Sequence, residues 1–94
     1  VYIDVLVIHK EYRRSMITPQ QIRGARAMLG LTQKQLADAS GVSEMSVKNI
    51  ERGSTPDPRV STMLAMKKSL ESAGVEFIPE NGGGPGVRLR KVES

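Results

Sequence analysis

A chain of 94 residues with a hydrophobic fraction of 38% has material for one domain around one modest core, so a large catalytic cleft is not expected. Fourteen Lys and Arg against ten Asp and Glu give a formal charge of +4, which favours polyanionic partners without saying which. The absence of Cys and the presence of a single His argue against thiolate and imidazole metal sites, so neither a metal nor a cofactor is expected.

At the N-terminus, Val1, Ile3, Val5 and Val7 alternate with Tyr2, Asp4, Leu6 and Ile8, a strand-like pattern. The run is far shorter than the roughly 18 to 20 residues of a membrane helix. It also carries Asp4 and has no basic region before it, unlike a signal peptide. Val1 to Ser15 is therefore an arm with two readings, an ordered strand or an upstream extension foreign to the native protein, because Met16-Ile17-Thr18-Pro19 looks like a natural start. His9 has no ligand neighbour and is expected at the surface.

A helical block runs from Met16 to Gly74. Between Thr18 and Gly74 it holds eight basic and five acidic residues, so most of the excess charge lies here. Thr18 is placed as an N-cap with Pro19 at the first helical position, and Ile22, Ala25, Met28 and Leu29 form an inward stripe that Gly30 ends. Thr32 and Gln35 form a capping box for a short second helix containing Leu36 and Ala37, which stops at Ser40-Gly41. Ser43 caps a third helix, with Val47 and Ile50 inward and Glu51-Arg52-Gly53 at its end.

A fourth helix is expected to open with Asp57 as N-cap and Pro58 at the first position. Its inward stripe is Val60, Met63, Leu64, Met66, Leu70 and Ala73, and Gly74 stops it. Met28, Met63 and Met66 are assigned to the core, leaving Met45 facing out. From Val75 to Ser94 the period becomes two, with Val75, Phe77, Val87 and Leu89 alternating around a loop from Pro79 to Gly86. This predicts a β-hairpin. The glycines of that loop precede neither a Lys-Ser/Thr pair nor a helix, so a phosphate cradle is not expected.

The stretch Thr32 to Gly53 carries the chemistry. Two short helices are joined by Ala39-Ser40-Gly41, where Gly41 lets the chain reverse through a left-handed conformation and Ala37 is small enough for close helix crossing. With Val47 and Ile50 inward, Glu44, Met45, Ser46, Lys48 and Asn49 point outward. Asn49 suits an adenine edge, Lys48 a guanine edge or phosphate, Glu44 a cytosine amine and Met45 a thymine methyl. The Glu44 carboxylate equally suits the helix dipole.

This segment resembles the Cro and phage-repressor-type (Xre) helix-turn-helix family from about Ile22 to Leu70, with Gln33, Leu36, Ala37, Gly41, Val42, Ser43, Val47, Ile50, Glu51 and Gly53 in the family's places. The resemblance implies a mainly α, compact bundle of four to five helices of the lambda-repressor-like type, with the C-terminal β-hairpin and an N-terminal strand as additions. It also implies a bacterial, sequence-specific regulator of transcription that binds double-stranded DNA. The absence of Cys suits a cytoplasmic protein, and without a nucleophile beside a base, an acidic pair with a reason to be perturbed or a cofactor fingerprint, an enzyme is not expected. The helix Ser43 to Arg52 would lie in the major groove.

On the same resemblance, Gln33, Ser43, Arg52, Gly53 and Arg59 would hold phosphates, and Arg26 with Glu51 would form an ion pair orienting that helix. The alternative for Gln33 is a solvated first-turn residue. The blander alternative for the whole face is a small interaction module whose Glu44, Lys48 and Asn49 are only solvated.

One such helix offers three or four base contacts at about 1 to 3 kcal/mol each, while regulation needs about 4 to 10 kcal/mol over non-specific DNA. The expectation is a homodimer on a palindromic operator, repressing by excluding polymerase. The hairpin then supplies a dimer interface, the favoured role, or a basic wing through Arg88, Arg90 and Lys91. A competing class is an antitoxin or adaptor that also clasps a protein partner such as a toxin. No sensor domain is expected in so short a chain.

Overall fold

The computed structural model describes residues 17–91. The strand expected for the N-terminal arm and the surface position expected for His9 lie outside them. Four helices and a hairpin follow in order: α1 (Pro19–Leu29), α2 (Gln33–Ser40), α3 (Glu44–Arg52), α4 (Val60–Ser72), β1 (Val75–Ile78) and β2 (Gly86–Leu89). The mainly helical bundle with a C-terminal antiparallel hairpin is the architecture the sequence led to.

Local signals set the first three helices. The Thr18 hydroxyl accepts from the Gln21 amide, Pro19 supplies a preset first turn, and Gly30 closes α1 in the left-handed region at φ 69°. Thr32 and Gln35 form the reciprocal capping box of α2. In α3, the Ser43 hydroxyl accepts from the Ser46 amide and the Gly53 amide donates back to the carbonyls of Asn49 and Ile50.

The opening of α4 departs from the expectation. It begins at Val60 with Arg59 as an N-cap that makes no side-chain cap bond, so Asp57 and Pro58 precede the helix. The physical reason lies in the double proline: Pro58 biases Asp57 away from helical backbone, and residues 56 and 57 form a bend instead.

The core gathers Ile17, Ile22, Ala25, Leu36, Ala37, Val47, Ile50, Met63, Met66, Leu70 and Val75. The expected α4 stripe was too wide. Met63, Met66 and Leu70, at spacings of three and four, share one face and are buried, whereas Val60, Leu64 and Ala73 point away from it into solvent. Met28, also assigned to the core, is 44% exposed. On its side of α1 the hairpin covers Gln21 and Gly24, nearer the N-terminal end, and Met28 stands further along the helix.

β1 and β2 pair antiparallel, Val75 with Leu89 and Phe77 with Val87. Val75 joins the helical core at 1% exposure, and Phe77 and Val87 pack against it. Gln21 fastens the hairpin to α1: its Nε2 donates to the carbonyls of Ile78 at 3.1 Å and Gly86 at 2.8 Å, while its Oε1 accepts from the Thr18 amide. Buried at 5% exposure, this amide has its main polar groups satisfied. On the outer face Arg88 donates twice to Glu76, at 3.1 Å each. These bonds, with the attraction of Arg88, hold the Glu76 carboxyl pKa below its ordinary value, although both side chains are exposed and the pair is screened.

Candidate nucleic-acid interface

Helices α2 and α3 are joined by Gly41-Val42-Ser43. Gly41 sits at φ 74°, where its amide bonds the Ala37 carbonyl. A β-carbon added there would meet nothing within 4 Å, so the pressure for glycine is conformational alone. Gly41→Ala should therefore cost about 1–2 kcal/mol of stability through left-handed backbone strain. A urea melt unchanged from wild type would show that the turn tolerates the β-carbon.

Behind the turn, Ala37, Val47 and Ile50 seat α3 against the bundle. Its other side faces solvent. Glu44, Met45 and Lys48 are exposed, Met45 at 63%, while Ser46 and Asn49 are half-buried. Lys48 Nζ lies 3.7 Å from the Glu44 carboxylate one turn earlier, an exposed pair that water and salt weaken. Ser46 is held near the helix start, its hydroxyl accepting from that of Ser43 at 2.8 Å. Arg52, the last residue of α3, and Gly53 and Arg59 beyond it are all exposed.

A charged cluster lies at the junction of α1, α2 and α3. Arg26 Nε and Nη2 each donate to Glu51 at 2.8 Å, and Arg26 Nη1 donates to the Leu31 carbonyl at 3.0 Å. Gln33 Nε2, from the first position of α2, also donates to Glu51, at 3.3 Å. Glu51 is 3% exposed and Arg26 partly so. The hydrogen bonds and charge of Glu51 raise the Arg26 pKa further above its already high ordinary value, against an opposing desolvation effect, so the guanidinium remains charged at any ordinary pH. The cluster ties α1 to the last turn of α3 and brings the Gln33 side chain under the control of the same carboxylate.

Beyond α3, an open groove of about 290 Å³ is lined by Ser46, Asn49, Ile50, Thr55, Asp57, Pro58, Arg59 and Thr62. It brings together three sequence-assigned residues, Ser46, Asn49 and Arg59. Thr55, Asp57 and Thr62 were not assigned to the site, because their approach to α3 depends on how the loop turns back rather than on a local pattern. Gln21 was missed differently. Its signal was present, since Thr18-x-x-Gln21 repeats the spacing of Thr32-x-x-Gln35.

Among the described residues, no group of three or more His, Cys, Asp or Glu is arranged to hold a metal, and no helix is long and apolar enough to cross a membrane. A helix-turn-helix family model matches residues 22–70, which takes in most of α1, all of α2 and α3, and most of α4. The chain is also similar to protein P2 of Acyrthosiphon pisum secondary endosymbiont phage 1, at 34% identity over 59 residues. That match covers 61% of this chain and 63% of the phage protein, less than two thirds of the relative's length.

Proposed function

Because the chain belongs to the Cro and phage-repressor-type helix-turn-helix family of DNA-binding regulators, we propose that it is a sequence-specific repressor that binds a palindromic operator as a homodimer. The observation that carries this is the two-sided character of α3 inside the matched segment: Val47 and Ile50 are buried, and Glu44, Met45 and Lys48 are presented to solvent beside Ser46 and Asn49. These five side chains read bases. Gln33, Ser43, Arg52, the Gly53 amide and Arg59 hold phosphates on either side, and Arg26 with Glu51 sets the angle of α3.

At the lower end of about 1 kcal/mol per base contact, a single α3 falls short of the roughly 4–10 kcal/mol of discrimination a regulator needs, which favours two copies about 34 Å apart along the duplex. The hairpin is the element we assign to the second copy. On α1, Gly24 faces Val87 of β2, whereas Arg26, about 200° further round at roughly 100° per residue, faces α3. The hairpin thus packs on the side of α1 away from the recognition helix, which supports a contact other than a DNA wing. Both outer edges of its two-stranded sheet also lack a strand partner among the described residues.

Fluorescence anisotropy with an operator sequence selected from random duplexes, and with unselected duplex, tests this. Asn49→Ala should weaken the selected duplex by about 5- to 150-fold, the value of one good base contact, and leave unselected duplex unchanged. Wild-type protein that binds both DNAs equally, with a steep salt dependence, would reduce the function to phosphate attraction. The same titration above Kd should saturate at two chains per operator. Saturation at one chain would leave the hairpin to a different protein, the adaptor or antitoxin reading.

A further inference from the structure

Among the described residues, Asp57 carries a charge that the fold does not use. The sequence pattern assigns it to capping α4, but α4 starts at Val60 with no side-chain cap, and Asp57 makes no side-chain hydrogen bond or ion pair among the described residues. Pro56 and Pro58 bracket it and restrict the backbone that carries it. The exposed side chain lines the groove beyond α3 together with Asn49 and Arg59. If Asn49 reads a base and Arg59 holds a phosphate, a carboxylate in the same groove lies close to the DNA backbone.

We infer that Asp57 is an electrostatic brake on backbone binding, an affinity-setting residue that opposes Arg59 in the same groove and keeps the bound protein releasable. The inference rests on the DNA-binding function proposed above. At low salt a carboxylate beside the phosphate backbone is repelled, and the repulsion fades as salt screens it. Because phosphates are common to all sequences, the brake acts alike on operator and unselected DNA.

The test is an anisotropy titration of the full chain, wild type, D57N and D57E, against the selected and the unselected duplex from low to moderate salt. D57N should bind both duplexes about three- to tenfold more tightly at low salt, with the gain shrinking as salt rises. The slope of log K against log salt should steepen by about one. D57E keeps the charge and should bind as wild type does. A urea melt of each variant should match wild type, since the carboxylate caps nothing.

Three outcomes overturn the brake. They are unchanged affinity in D57N, a change confined to the selected duplex, which would make Asp57 a base reader, and an equal gain in D57E, which would make the effect one of shape. In each of these the wild type still binds, so the DNA-binding reading stands. Wild-type protein that binds neither duplex overturns both.

Discussion

Arg26→Met is expected to lower the free energy of unfolding by about 3–5 kcal/mol, the cost of leaving one member of a buried ion pair without its partner. Glu51 is the enclosed member, at 3% exposure, and in the variant only the longer 3.3 Å bond from Gln33 would still serve its carboxylate. The reverse change, Glu51→Ala, should cost less, because Arg26 is partly exposed and can swing its guanidinium toward water.

Urea midpoints of the two variants at neutral pH read this directly. A wild-type midpoint in Arg26→Met would mean that water reaches Glu51 freely. Since the pair joins α1 to the last turn of α3, operator affinity should fall in both variants even where they remain folded.

Truncation after Gly74 should abolish or nearly abolish cooperative folding. The loss includes complete burial of Val75 and partial burial of Phe77 and Val87, and it uncovers the apolar surface they shield. At about 1.5–3 kcal/mol per fully buried side chain, and less for the others, the sum is about 4–8 kcal/mol. That is comparable with the total stability of about 5–15 kcal/mol expected for a small domain. Circular dichroism during a urea titration should therefore show a broad, early transition or none. A truncated chain that melts at the wild-type midpoint would make the hairpin an appendage.

This expectation bears on how DNA binding and hairpin contacts coexist. The hairpin and α3 lie on opposite sides of α1, each fastened by side chains of that one helix: Gln21 holds the hairpin carbonyls, and Arg26 holds Glu51. Helix α1 is the common beam. A second copy engaging the hairpin edge would leave the base-reading face unobstructed.

Where a few neighbouring residues decide the outcome, the sequence by itself was sufficient. Thr18, Thr32 and Ser43 stop their helices' N-termini by bonding amides three positions on, and Gly30, Gly41 and Gly53 end them because left-handed backbone costs glycine little. The two-residue period after Val75 likewise sufficed for the hairpin, and the inward pair Val47 and Ile50 for the orientation of α3. What only the tertiary structure decided was which surfaces are covered. Met28 and Leu64 are as apolar as their buried neighbours but lie outside the faces that other elements reach. Gln21 is buried because strands whose carbonyls lie 57 and 65 residues away turn them toward it, and Asp57 is released from capping by a proline-bounded bend that brings it to the groove beside Asn49. Caps and periods are short-range steric and hydrogen-bonding effects. Burial and the meeting of distant charges depend on how whole elements pack, and no local pattern encodes that.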